Sequence, residues 1–209
     1  MRTAKWVAAL VLISALPRLA IAEDLALTAS TTATITAAMG QGRLLLAFPS
    51  VSQLQDQWVT NATLSIPLSP GSLTSDLEIE VDGLTRSWAA GATWTSPWTT
   101  PGGDREMTLA NSAVVPAGTS GGTLTADVTD VVRAVTEGDL DENGFILLPS
   151  SPLKVGFSAD ELAMLSGQAG NATLHVYYRD LRALGYQGGP KALLARKREG
   201  RVEGSGHAR

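Results

Sequence analysis

The chain has 209 residues, 44% hydrophobic and 17% charged, with a formal net charge of −4 and no cysteine. Disulfides, thiol nucleophiles and thiolate metal centres are excluded, and with only two histidines imidazole chemistry is scarce. Residues 23–189 hold eighteen acidic against seven basic side chains while 190–209 hold two against six, so an acidic body, unsuited to nucleic acid, precedes a basic tail.

Residues 1–22 have the layout of a secretory signal: Arg2 and Lys5, an apolar run from Trp6 to Leu16, and a small-residue exit at Ala20-Ile21-Ala22. The apolar run is too short for a bilayer span, which needs about 20 residues. The expectation is export, to the cell surface or beyond, without a membrane span. A secreted body without sulfur bridges must rely on a full hydrophobic core.

Alternation of polar and apolar residues predicts strands over Thr32–Thr36, Arg43–Phe48 and Ala62–Leu68. In Asp76–Asp82, Leu77, Ile79 and Val81 face one way and Asp76, Glu78, Glu80 and Asp82 the other, towards solvent. Further strands are predicted over Gly122–Val128, Phe145–Leu148, Leu153–Phe157 and Ala172–Tyr178. Two short helical turns interrupt them. The first follows Asp127-Val128-Thr129, with Asp or Thr as its cap and Gly138 as its stop; the second starts at Ser158, where Ser158 and Glu161 have capping-box spacing. No long helical pattern alternates with the strands, so the fold class is all-β, an antiparallel sandwich with one or two short helical turns. The domain is expected to end near residue 183, and 184–209 reads as a basic, disordered tail.

No catalytic constellation is apparent. His207 lies in the tail, and His175 shares the outward face of its strand with Thr173 and Tyr177. Neither G-x-S-x-G nor H-E-x-x-H occurs. Acidic residues could supply a carboxylate pair, but most sit on exterior strand positions or in turns. The stretch 139–144 reproduces the first half of a calcium loop, with Asp139, Asp141 and Asn143 as the oxygen donors, but Ser150 occupies the position of the closing Glu. A polar turn with Asn143-Gly144 at its tip fits as well, and no cofactor is assigned beyond this calcium possibility. Asn61-Ala62-Thr63 and Asn171-Ala172-Thr173 match the N-glycosylation acceptor, which has meaning only in a host with that machinery.

Residues 87–104, SWAAGATWTSPWTTPGGD, put Trp88, Trp94 and Trp98 within eleven positions. With Pro101-Gly102-Gly103-Asp104 they resemble the tryptophan-rich centre of DNRLRE (disaggregatase-related) domains, which overlap with a class of carbohydrate-binding modules. Leu45-Leu46-Ala47-Phe48, Asn61-Ala62-Thr63-Leu64, Ala126-Asp127-Val128-Thr129, Asn143-Gly144-Phe145 and Phe157-Ser158 with Glu161 resemble further elements of that family, in its order. Ala47 departs from it, standing where a basic residue is common, and so does Ala134-Val135, where a tryptophan often follows the helical turn. The resemblance spans roughly residues 32–178 and implies a jelly-roll sandwich in an exported or surface protein, usually without catalytic activity.

Three tryptophans in one connection either stack on sugar rings or plug the domain itself. A buried Trp removes about 150–250 Å² from water, and three exposed together invite aggregation, so the group reads as mainly structural. Trp94 is expected to be buried and Trp98 partly exposed. The candidate ligand residues are Trp98, Trp88, Asp104 and Arg105, the aromatics stacking and the charged pair hydrogen-bonding a glycan; the partner class is a glycan or a surface protein. The rival reading is a structural or assembly domain without glycan binding.

Overall fold

The computed structural model describes residues 22–55, 57–182 and 190–192. In chain order the strands are β1 (Glu23–Thr28), β2 (Thr31–Thr36), β3 (Gly42–Ala47), β4 (Gln57–Leu68), β5 (Leu77–Leu84), β6 (Arg105–Val115), β7 (Gly122–Asp127), β8 (Phe145–Pro149) and β9 (Thr173–Asp180). Helix α1 (Thr129–Thr136) lies between β7 and β8, and α2 (Ala159–Ser166) between β8 and β9. All strand pairings are antiparallel, in a four-stranded sheet ordered β1-β9-β4-β7 and a five-stranded sheet ordered β2-β3-β8-β5-β6. With β2 set aside as an added edge strand, the pairs β1–β9, β3–β8, β4–β7 and β5–β6 nest outside-in, which is the winding of a jelly roll.

Alternation explains the core. Leu44 and Leu46 on β3, Ile79 and Val81 on β5, and Phe145 and Leu147 on β8 point inward from one sheet. From the other they meet Ala62, Leu64 and Ile66 on β4, Leu124 and Ala126 on β7, and Leu174 and Val176 on β9. Each large aliphatic side chain so buried stabilises the fold by about 1.5–3 kcal/mol. The helices add to this core: α1 contributes Val131 and Val132, and α2 contributes Met164 and Leu165.

Both helix starts follow from local chemistry. Ser158 and Glu161 form a reciprocal capping box at α2. At α1 the cap position, Val128, offers no side-chain bond; the Asp127 carboxylate accepts from Thr129 N–H (2.9 Å) and its hydroxyl (2.5 Å), and Thr129 Oγ1 in turn accepts from Ala62 N–H of β4 (2.9 Å). Gly138, at φ +74°, ends the turn as expected.

Several expectations need correction. Leu153–Phe157 is not a strand: only Phe157 bridges to Gly42, and Leu153 is 93% exposed on a loop. Strands β1 and β6 escaped the pattern reading, and β4 begins at Gln57, ahead of its predicted start. Asp82 lies on the outer face as alternation requires, yet it is 0% exposed, because that part of the outer face is covered. The proposed leader, residues 1–22, lies outside the described residues except for Ala22. Of the predicted tail, residues 190–192 are described; they are helical, Pro190 is buried, and Lys191 Nζ meets Asp139 Oδ1 at 2.5 Å. Among the described residues no helix is long and apolar enough to cross a membrane.

Candidate ligand cleft beside the tryptophan loop

The connection 85–104 between β5 and β6 covers part of the outer face on which Asp82 lies. Ile35, Leu45, Leu84 and Ile146, all at 0% exposure, form a second apolar layer on the outer face of the five-stranded sheet. Trp98 closes over them at 7% exposure, flanked by half-buried Trp88 and Trp94. The order of burial expected for the tryptophans is therefore inverted: Trp98 is the buried anchor and Trp94 the flank.

Each indole is fixed by a second bond or contact. Trp98 Nε1 donates to Thr93 O (2.7 Å), Trp88 Nε1 donates to Asn143 O (2.8 Å), and the Arg43 guanidinium stands 4.9 Å over the Trp94 ring. Arg43 also donates to Gly102 O (2.7 Å) and Val155 O (2.8 Å), tying β3 to the loop. The loop returns through Pro101-Gly102-Gly103-Asp104, where Gly102 (φ +95°) and Gly103 (φ +109°) have backbone that side chains avoid. A Cβ on Gly103 would stand 2.7 Å from Ile146 Cδ1, so this glycine lets the chain lie on the sheet. The Asp104 carboxylate then accepts from the backbone of Thr99 (2.9 Å) and Thr100 (2.8 Å), from the Thr99 hydroxyl (2.8 Å) and from Arg86 (2.9 Å). Partial burial opposes them, but these hydrogen bonds and the Arg86 charge hold Asp104 below the ordinary carboxylate range.

Beside this roof lies an open cleft of about 470 Å³, walled by Arg43, Arg86, Arg105, Thr99, Thr100 and Asp104. Behind it, Arg105 Nη1 donates to both Glu80 and Asp82. Asp82 Oδ1 has no hydrogen-bond partner among the described residues. Burial pushes the Asp82 carboxyl up to about 6, against the pull of the Arg105 bond. Burial lowers Arg43, and the charge of Arg105 adds to that.

A shallower hollow of about 450 Å³, lined by Trp88, Ala92 and Pro97, adjoins the cleft. The ridge between them is Arg86, whose Nη1 donates to Pro97 O (3.3 Å). The four sequence-predicted ligand residues thus divide: Asp104 and Arg105 enter the polar cleft, Trp88 the neighbouring hollow, and Trp98 is withdrawn beneath the roof. Arg43 and Arg86 were missed, since neither stands in a motif. The one signal for Arg43 was its place in an otherwise apolar strand, Gly42–Ala47.

Two of the three calcium candidates, Asp139 and Asn143, have partners within the chain. Asp139 faces Lys191, Asn143 gives its backbone oxygen to Trp88, and the neighbouring Glu142 accepts from Ser50 Oγ (2.8 Å) and Val51 N–H. Among the described residues no group of three or more His, Asp or Glu is placed to hold a metal ion. The segment acts as a turn, with Gly144 (φ +86°) so close to β3 that a Cβ would meet Leu46 O at 2.2 Å.

The fold and site define an all-β jelly-roll sandwich with a tryptophan-anchored roof over one sheet. No protein-family model matches the sequence, and no curated protein matches it.

Proposed function

We propose that this protein is an exported, non-catalytic recognition module of the DNRLRE type that binds neutral or mixed glycans at the cell surface. The observation that carries the proposal is the adjacency of the two hollows across the Arg86–Pro97 ridge, one edged by an indole and the other by guanidinium and hydroxyl groups. Sugar recognition needs that combination: an aromatic face for the C–H side of a ring, and fixed polar groups for its hydroxyls. Trp88 takes the stacking role and Arg86 with the Thr99–Thr100 edge the polar one. Asp104 holds Arg86 and the Thr99–Thr100 edge in place, Arg105 lines the cleft from its bonds to Glu80 and Asp82, and Trp98 carries the roof without touching ligand.

Titration with a panel of neutral oligosaccharides, followed by tryptophan fluorescence and calorimetry, tests it. Binding that weakens about tenfold or more in Trp88→Ala, with the fold intact, is the expected result. Silence across the panel removes the reading.

The second reading, an assembly domain of a surface complex without glycan binding, is favoured by Leu153 and Met39, at 93% and 83% exposure on loops. It predicts that Leu153→Ser disperses an assembly while leaving glycan titrations flat.

A further inference from the structure

The charge arrangement behind the cleft carries an inference that uses the same cleft but does not rest on the glycan reading. Three guanidinium groups, Arg43, Arg86 and Arg105, meet three carboxylates, Glu80, Asp82 and Asp104, so with all ionised the charges cancel. The carboxylates are held differently. Asp104 has four donors and is locked in its ionised form. Glu80 is part-exposed beside Arg105. Asp82 is 0% exposed and bonded through Oδ2 alone, with Oδ1 lacking any partner among the described residues.

A buried carboxylate oxygen without a donor is costly, and a proton on that atom lowers the cost by neutralising the charge. Protonation at Oδ1 leaves Oδ2 free to keep accepting from Arg105, so the fold need not change. Around Asp82, its own strand β5 presents Glu80, β6 presents Arg105, β3 presents Arg43, and β8 places apolar Ile146 opposite it. The connection 85–104 carries Arg86 and Asp104, which are paired with each other. Glu106, next to Arg105, is turned to Thr108. Burial pushes the Asp82 carboxyl up to about 6, so the proton is exchanged in mildly acidic solution.

We propose that the cleft is a proton-linked oxyanion site: when Asp82 takes up a proton at Oδ1, the cleft carries one uncompensated guanidinium charge and accepts a carboxylate, sulfate or phosphate group, which it releases when Asp82 ionises. Arg105, 20% exposed and reaching both Asp82 and the cleft, is the group through which the change is felt. Proton and anion assist each other by the same factor in both directions.

Sulfate, whose own charge does not change in this range, is the probe. In full-length protein at constant ionic strength, sulfate binding is expected to be about fivefold or more tighter at pH 5 than at pH 7.5. Asp82→Asn, permanently neutral there, is expected to bind at the pH 5 level throughout. Equal affinity at both pH values overturns the proposal, as does a variant that keeps the full pH dependence, because general surface charge would then explain it. A measurement on the unaltered chain guards against a variant that does not fold: saturating sulfate must raise the titration midpoint of the Asp82 carboxyl carbon in NMR, and an unmoved midpoint also overturns the proposal. Neutral oligosaccharides are absent from this experiment, so its failure leaves the glycan proposal standing, and the converse holds.

Discussion

The two sheets of the sandwich share one core but differ on their outer faces. Across the four-stranded sheet the outward row Thr28, Thr173, Ser65 and Thr125 runs over β1, β9, β4 and β7 with no member buried. Across the five-stranded sheet Ile35, Leu45, Ile146 and Leu84 are wholly buried beneath a twenty-residue connection. The bare face carries mostly small and polar groups, with Tyr177 half exposed among them. A roofed face can hold charges out of water, and there the molecule builds its cleft and perturbs a carboxyl group.

The sharpest way to break the comparison is to remove the roof's anchor. Trp98→Ala is expected to destabilise the protein by about 3–5 kcal/mol in urea unfolding, the range for deleting a buried Trp. Arg105→Ala comes next, at about 3 kcal/mol, because it leaves Asp82 buried without its cation; in an Asp82→Asn background the same change should cost clearly less. Gly103→Ala, which forces a side chain onto positive φ and against Ile146, is expected to cost about 1–3 kcal/mol.

A pH series sharpens the comparison further. The Asp82 carboxyl is raised from its ordinary 3.8 to about 6 in the folded protein, so the native state holds its proton more tightly than the unfolded chain. Its contribution to stability is full below 3.8 and is lost as pH rises through about 6. Relative to Asp82→Asn, the unaltered protein should therefore gain stability between pH 7 and pH 4.5, read from urea midpoints at each pH. On the bare face, His175→Ala should change stability by less than about 0.5 kcal/mol.

Both sheets were legible in their central strands. Alternation in Ala62–Leu68 and Ala172–Tyr178 marks one buried and one wetted face, and both are strands where expected. In the roofed sheet β2, β3, β5 and β8 are also strands where expected, and each sheet hid one edge strand, β1 in the bare sheet and β6 in the roofed one. Leu44-Leu45-Leu46 and Phe145-Ile146-Leu147-Leu148 are continuous apolar runs, the mark of strands buried on both sides, and alternation does not show what covers their outer face. Strand β6 was missed because Ala110-Asn111-Ser112-Ala113 has the composition of a loop while occupying a sheet edge. The tryptophan cluster was legible as mainly structural. Which indole goes under was not, because that depends on where the chain turns at Pro97 and returns over Gly102 and Gly103. Arg43, Arg86 and Asp82 come together from separate strands and a loop through sheet order, which no local pattern encodes.

The claim on which the account depends is that the loop from Thr85 to Asp104 is a fixed roof pinned by Trp98. Hydrogen exchange at the Trp98 indole N–H, bonded to Thr93 O at 2.7 Å beneath that roof, tests it most directly. The account predicts that this proton exchanges only with global unfolding, as slowly as the amides of Leu64 and Val176 in the core; exchange at the rate of a solvent-exposed indole while those amides stay protected would contradict it.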